Sequence, residues 1–402
     1  MIIARPEAVK RLNANKKWLF IYGRRKTGKT FLVKNFGEYD EYFFIKRDRT
    51  IISKKGDTMS YATFLEVFKV LVDNNKKIIV DEFHRLGDDF FDYLHYTDKK
   101  GRVILISSTL YLSKKILSQK SALLGLFEEY PLGIIDLKDS LEALKKLKYS
   151  KKDLLELAIF MREPLAIDYL NEDLTAKETI TNIVSGSVKT VPGLIGEIFI
   201  EEEKNISAIY EGILRAIASG KNASGKISNY LFSKKLIKKD DPSTIQQYLN
   251  NLISFGILKR IKIFNKNRYA YQHVSPLAWL FYYADEKYNI AEREVNKKEL
   301  EEIINNLLPK IVETNVRERF AKKHGLIEHK YEEKNFDVDL FLTKFKKPEL
   351  IGEIKWKNKV SREDIKQTKE NLSKFKSKQK ILFVPDKQQI NAELPIMDVT
   401  DL

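Results

Sequence analysis

Apolar residues near the amino end of the chain come in short runs bounded by polar ones. Trp18 to Tyr22, Ile78 to Val80 and Arg102 to Ser107 read as buried strands, as does Glu41 to Ile45. Ile134 to Leu137 reads as a fifth. Between them, residues 59 to 74 carry Tyr61, Phe64, Leu65, Phe68, Leu71 and Val72 at helical spacing. Strands alternating with helices predict an α/β domain with a mostly parallel sheet. Its ligand belongs at the carboxyl ends of the strands. Residues 138 to 205 turn helical and rich in Lys and Leu, with an interruption at Met161 to Leu165 where Pro164 starts or kinks a helix. From Ile206 three helices are expected: Ile206–Ser219, Gly225–Phe232 and, capped by Pro242-Ser243-Thr244, Ile245–Phe255. A hairpin follows, Ile257–Ile263 and Arg268–Gln272 around Asn265-Lys266-Asn267. Residues 274 to 324 are helical again, and their Trp279, Phe281, Tyr282 and Tyr283 suit core packing better than base stacking. The stretch Asn335–Leu342 then alternates like a strand.

The first run leads into chemistry. Gly23 ends the strand, and Gly23-Arg24-Arg25-Lys26-Thr27-Gly28-Lys29-Thr30 is G-x-x-x-x-G-K-[ST] between a strand and an amphipathic helix. The glycines let successive N–H groups point inward around phosphate oxygens, and the helix that follows adds its positive end. Lys29 reaches β- and γ-phosphates, and the Thr30 hydroxyl suits Mg2+. The candidate nucleotide contacts are therefore Gly23, Arg24, Arg25, Lys26, Thr27, Gly28, Lys29, Thr30 and Phe31. A second signature lies at Ile78-Ile79-Val80-Asp81-Glu82. Asp81, at the strand end, is the expected metal partner of Thr30, and Glu82 the base that deprotonates an attacking water. That second acid points to hydrolysis rather than binding alone. Ser107, Ser108 and Thr109 end the next strand, where a hydroxyl reads the γ-phosphate or simply caps the strand.

Composition narrows the class. A length of 402 residues suggests two to four domains, and 43% hydrophobic residues suffice for a core in each. No apolar stretch approaches a membrane span, and the segment before the first strand is too short for a secretory signal. The absence of cysteine excludes disulfides and thiolate metal sites. A soluble cytoplasmic protein is the simplest expectation. The formal charge of +16 favours polyanion partners, although Lys-rich surfaces also serve solubility, so the charge alone does not establish nucleic-acid binding.

Three helices and a hairpin are the order of a winged helix-turn-helix, with the third helix as the candidate DNA reader. Its basic support is Lys234, Lys235, Lys238, Lys239, Lys259, Arg260, Lys262, Lys266 and Arg268, while the third helix itself is poor in Lys and Arg. A protein-interaction or nucleotide-sensing role is the alternative. Farther on, period two sets Glu353 and Lys355 on one face, and Asp339 on a neighbouring strand completes D…E-x-K. Asp339 and Glu353 can hold a divalent metal, and Lys355 can steady a phosphate or activate water. Glu313 or Glu318 on the preceding helix is a further candidate ligand. A helix, Arg362–Phe375, and a strand, Lys380–Pro385, follow. The rival reading is a surface of paired charges.

Taken together, these motifs resemble the archaeal P-loop ATPases of the AAA-related, signal-transduction NTPase type. The resemblance rests on Arg5-Pro6-Glu7, Gly23 to Thr30, Val80-Asp81-Glu82-Phe83, Ile106-Ser107-Ser108, and Asp337-Val338-Asp339 with Glu353-Ile354-Lys355. It implies an α/β P-loop NTPase core over 1–140, a helical lid over 141–205, and a winged helix over 206–273. A helical connector and an α+β PD-(D/E)XK, restriction-nuclease-like domain would fill 274–402. It implies ATP and Mg2+ as cofactors, while the winged-helix pattern and D…E-x-K make DNA the expected partner, with no membrane and with self-association or a protein partner as further possibilities. The family's lid carries Gly-x-Pro near adenine. Here Arg162-Glu163-Pro164 matches without the glycine, so Pro164 is the residue carried over. Arg24, Arg25 and Arg85 lie near the site in sequence, and none is assigned as an arginine finger.

Overall fold

The computed structural model describes all residues except 15–17, 111–112, 114–124, 203, 334–335 and 391–392. The expected amino-terminal sheet is present, with two departures. In chain order, α1 (Pro6–Ala14) leads to β1 (Leu19–Tyr22) and α2 (Lys29–Phe36), then β2 (Glu41–Ile45), a small hairpin β3 (Ile51–Ile52) and β4 (Thr58–Met59), and α3 (Tyr61–Asp73). Next come β5 (Lys77–Asp81), α4 (Asp88–Tyr96), β6 (Arg102–Ser107) and β7 (Glu128–Pro131). The strand expected at Ile134–Leu137 lies earlier, at β7, because Asp136 instead accepts the Lys138 N–H and caps helix α5 (Leu137–Leu144). The second departure is the antiparallel β3–β4 pair added beyond β2.

The sheet runs β4-β3-β2-β5-β6-β1-β7, and the pairs among β2, β5, β6, β1 and β7 are parallel. Side chains alternate between its faces. Phe20, Phe43, Ile78, Val80, Val103 and Leu105 pack with Phe64, Phe68 and Phe90 of α3 and α4. Leu19, Ile21, Ile79, Ile104 and Ile106 pack with Ala8, Leu12, Leu32 and Val33 of α1 and α2. Both faces are covered, which is why these strands are apolar throughout rather than alternating. The order also puts β6 between β1 and β5, so the Ser107–Ser108 tip stands between the two nucleotide motifs.

The helical stretch continues through α6 (Lys151–Phe160), a 3-10 turn opened by Pro164, α7 (Ala176–Gly186) and α8 (Thr190–Glu201). Then come α9 (Ala208–Ala218), α10 (Ser224–Ser233) and α11 (Gln246–Ser254). The last begins one residue after the expected Ile245, since Asp241 caps a separate 3-10 turn over Pro242–Ile245. The hairpin is β8 (Leu258–Ile263) and β9 (Tyr269–His273), followed by α12 (Pro276–Tyr288) and α13 (Lys297–His324). Trp279, Phe281 and Tyr282 are buried, as their apolar bodies favour.

The carboxyl-terminal elements are β10 (Ile327–Glu333), β11 (Phe336–Lys344), β12 (Lys347–Ile354), α14 (Arg362–Ser373), β13 (Gln379–Phe383) and β14 (Ile396–Met397). Asn335, the expected first residue of β11, lies outside the described residues. The sheet order is β14-β13-β12-β11-β10-β8-β9, so the hairpin is its continuation: β8 pairs with β10, and Phe264 N–H donates to Lys330. One apolar cluster joins side chains from Ile135 through Phe160, Phe199, Leu252, Trp279 and Phe320 to Phe383. This cluster runs through the helical layer, the hairpin and one face of the carboxyl-terminal sheet, while Val338, Phe341, Ile351 and Leu372 form a separate cluster on that sheet. No single helix among the described residues is long and apolar enough to cross a membrane.

Candidate functional site

Three left-handed or positive-φ positions shape the loop after β1: Gly23 (φ 158°), Lys26 (φ 63°) and Gly28 (φ 84°). Gly23 admits no side chain, because a Cβ there would sit 2.2 Å from the Leu132 carbonyl oxygen. Gly28 caps α2 with no side-chain acceptor, leaving the first N–H groups of the helix for an anion. The loop opens on a cavity of about 1000 Å³ lined by Arg25, Lys26, Gly28, Lys29, Thr30, Phe31, Glu82, Arg85, Ser108 and Pro164, among others.

Three residues expected to face the nucleotide do other work. The Arg24 guanidinium turns to Glu163, donating to both carboxylate oxygens at 2.6 and 2.8 Å in a pair almost without exposure. Thr27 is fully buried, its hydroxyl donating to the Arg24 carbonyl at 3.1 Å. Gly23 offers its carbonyl to Lys29 at 2.8 Å. All three shape the loop rather than line the cavity. Glu163, the residue before Pro164, thus has a partner, and the pair ties the helical layer to the loop. Arg5, which the sequence marked only as part of Arg5-Pro6-Glu7, donates to the Thr27 carbonyl at 2.7 Å and to the Gly133 carbonyl at 3.0 Å, bracing the loop from outside.

Lys29 is buried and donates to the Gly23 and Arg24 carbonyls at 2.8 and 2.9 Å. Burial pushes its ammonium down to about 8, against the pull of Glu82 and Asp81. Asp81 accepts from Thr30 at 2.7 Å and from Tyr42 at 2.8 Å, both through Oδ2. Its Oδ1 is buried with no partner among the described residues. Burial, and next the charge of Glu82, raise the Asp81 carboxyl above the ordinary carboxylate range. Hard oxygens, one of them orphaned beside a hydroxyl, fit a divalent cation such as Mg2+. Tyr42 was missed because a buried strand tyrosine carries no motif.

Glu82 takes a left-handed backbone (φ 59°) at the end of β5, unusual for a non-glycine residue and a common mark of a functional turn. Its carboxylate accepts from Ser108 at 2.8 Å, with His84 at 3.5 Å and Arg85 at 3.6 Å. The same hydroxyl lies 3.2 Å from Glu201 at the end of α8. Glu82, His84 and Glu201 could in principle hold a metal ion. Arg85, however, already lies within 3.6 Å of both carboxylates, which makes the group an ion-paired network instead.

The carboxyl-terminal candidates also meet. Asp339 on β11 and Glu353 on β12 sit where Leu340 pairs with Gly352. The register of β11 with β10 slips here, His329 facing Phe341 but Tyr331 facing Val338, a bulge that re-aims Asp339 and that strict alternation conceals. Asp339 accepts from the Ile354 N–H at 3.0 Å, and Lys355 donates to Glu353 at 3.2 Å. Burial and then the Asp339 charge push Glu353 up to about 7, and the same causes push Glu313 up to about 7. Glu353 Oε1 is buried and unpartnered among the described residues, as a metal ligand would be. Glu313, which also ion-pairs with Lys310, feels the Asp339 charge. Glu318 does not join them: Arg162 at 2.6 Å and Lys259 at 2.7 Å claim its two oxygens.

A family model described as an AAA domain matches residues 15–138. An uncharacterized protein of Methanocaldococcus jannaschii is 28% identical over 291 residues, which are 65% of this chain and 62% of that protein. The match thus spans under two thirds of the length of that curated relative. Among solved structures, the Aeropyrum pernix ORC2 protein in ADPNP–ADP complexes overlaps at a TM-score of 0.39 and 15% identity, covering 79% of this chain and 95% of that one. The ORC1 protein of the same organism in complex with DNA gives 0.32 at 13% identity, covering 72% and 94%. Cdc6p of Pyrobaculum aerophilum gives 0.30 at 13%, covering 76% and 93%.

Proposed function

We propose that the chain is an ATP-binding and ATP-hydrolysing switch that acts on DNA, with a metal-dependent phosphodiester-cleaving site in its carboxyl-terminal sheet. The observation that carries the ATPase reading is the orphaned Asp81 Oδ1, beside Thr30, at the edge of a large cavity that opens on an uncapped helix end. ATP would lay its phosphates along the loop, Lys29 exchanging the Gly23 and Arg24 carbonyls for phosphate oxygens. Thr30 and Asp81 would hold Mg2+, which neutralises charge on the β- and γ-phosphates when bound. Glu82 would take the proton of the attacking water. Isothermal titration calorimetry with ATP and Mg2+ is expected to show saturable binding. No heat at millimolar nucleotide would remove the premise.

DNA contact is proposed through the winged-helix elements α9 to β9. The exposed face of α11 carries Gln246, Gln247 and Asn250, with exposed Lys234, Lys235, Lys238 and Lys239 nearby in the chain. The paired hairpin is less free to act as a wing than the sequence suggested. Lys259, one of its expected basic contacts, is spent on Glu318 and Glu328.

A second reading, a regulatory or scaffold ATPase with protein partners and an inactive nuclease-like domain, is favoured by one feature. Lys355 and Lys310 already pair with the carboxylates that would hold a metal. Plasmid nicking with Mg2+ or Mn2+ separates the two. The first reading expects cleavage that falls at least about 100-fold in Asp339→Ala, the range for losing a metal-bound charge-stabilising group. No cleavage by the wild type, with DNA binding absent or insensitive to salt, supports the second.

A further inference from the structure

Behind the wall of the cavity, against three arginines that line it, lies a carboxylate that no motif accounts for. Glu201 is the last residue of α8, where the helix end carries partial negative charge and a carboxylate has no local reason to sit. Its side chain is nonetheless only 5% exposed, and its two oxygens collect donors from three separate parts of the ATPase core. Arg25, in the phosphate loop, donates at 2.9 Å. Arg47, just after β2, donates at 3.3 Å. Arg85, just after β5 and itself anchored to the Ile45 carbonyl at 2.8 Å, donates at 3.2 Å. Ser108, at the tip of β6, adds a hydroxyl at 3.2 Å, and His84 Nε2 lies at 3.5 Å. Burial opposes the charge on Glu201, yet the His84 hydrogen bond and the Arg85 and Arg25 charges hold its carboxyl well below the usual carboxylate range.

All three arginines line the cavity together with Lys29, Thr30 and Glu82. Three guanidinium groups around one small anion, beside a phosphate loop, match what a terminal phosphoryl group requires. Guanidinium forks pair with phosphate as readily as with carboxylate, and a phosphoryl group offers three oxygens and more charge than the two oxygens of Glu201. We propose that Arg25, Arg47 and Arg85 form the terminal-phosphate site of this chain, distinguishing tri- from diphosphate, and that Glu201 occupies that site until a triphosphate takes the arginines over.

The inference rests on the ATP reading and adds a consequence for the base. Ser108 has one O–H, which lies within reach of both Glu82 and Glu201 and donates to one at a time. Arg85 and His84 likewise lie between the two carboxylates. Withdrawal of Glu201 therefore leaves Ser108 and Arg85 to Glu82 and the phosphate, and it removes part of what ties the end of α8 to the core, where Glu202 still accepts from the Leu110 N–H and Glu197 pairs with Arg25. Binding of the third phosphate is in this way tied to movement of the helical layer, whereas a diphosphate leaves Glu201 in place.

Calorimetric titration of wild type, Glu201→Gln and Arg47→Ala with ATP and with ADP tests this. Arg47 has a largely exposed side chain, so its replacement leaves the fold intact even if Glu201→Gln should not. Glu201→Gln is expected to bind ATP about tenfold tighter with ADP affinity within about twofold of wild type, the size of an ordinary coupling between sites. Arg47→Ala is expected to bind ATP several-fold more weakly with ADP unchanged. If either folded variant shifts ATP and ADP equally, or shifts neither, the proposal is wrong while the ATP site stands. If the wild type binds neither nucleotide, the ATP reading falls and this proposal with it.

Discussion

Lys29→Ala is expected to reduce ATP turnover at least about 1000-fold and to weaken ATP binding by a factor of ten or more, the larger loss falling on turnover. The argument begins with burial. Lys29 is held at the floor of the loop by two backbone carbonyls, and its charge is costly there, as its lowered ionisation shows. A triphosphate relieves that cost, because phosphate oxygens are better partners for an ammonium than carbonyls are. Charge then grows on the bridging and terminal oxygens as the bond to the leaving phosphate breaks, so the lysine matters more in the transition state than in the bound ground state. The same carbonyl contacts also staple the loop, and Lys29→Ala removes that staple. A thermal melt without nucleotide distinguishes the effects: a shift of a few degrees reports the staple, while loss of turnover in a folded variant reports the chemistry. Turnover within tenfold of wild type in Lys29→Ala would contradict the assignment of the site.

Much of this site was legible before folding, for a physical reason. Phosphate binding by backbone N–H groups needs glycines at fixed offsets, and a metal-binding acid needs a strand to end on, so both leave local marks such as Gly23, Gly28 and Asp81. What the sequence concealed were partners drawn from distant parts of the chain. Tyr42 on Asp81, Glu163 on Arg24 and Arg5 on the Thr27 carbonyl are long-range pairings of ordinary residue types. The only signal for Glu201 was a run of acids, Glu201-Glu202-Glu203, which reads equally well as a solvated helix end. The order of strands was hidden too, since nothing local says that β6 rather than β5 lies beside β1. In the carboxyl-terminal half, the helices and the hairpin fell close to where periodicity put them. Periodicity gave no bounds for β10, whose half-buried residues Ile327–Glu333 are mostly polar or charged, and hence no sign of the fusion of hairpin and sheet.

Glu82→Gln is expected to keep ATP binding within about threefold of wild type and to slow hydrolysis about 100- to 10,000-fold, the range a positioned general base supplies. The substitution is nearly isosteric, so the left-handed turn at residue 82 persists, and the amide oxygen can still accept from Ser108. It cannot accept a proton from water at neutral pH, which separates base catalysis from support of the turn. Binding and turnover should therefore part company in this variant, whereas in Lys29→Ala both fall. ATP-bound protein would accumulate, and single-turnover mixing would show a slow chemical step after normal binding. Equal single-turnover rates in Glu82→Gln and wild type would mean that another group takes the proton. Ser108 and His84 are poor substitutes: the first has no basic lone pair of useful strength, and the second already faces Ser107 at 3.0 Å and the two carboxylates. Among the described residues, that leaves Glu82 as the carboxylate that both lines the cavity and accepts from the hydroxyl at the strand tip between the two nucleotide motifs.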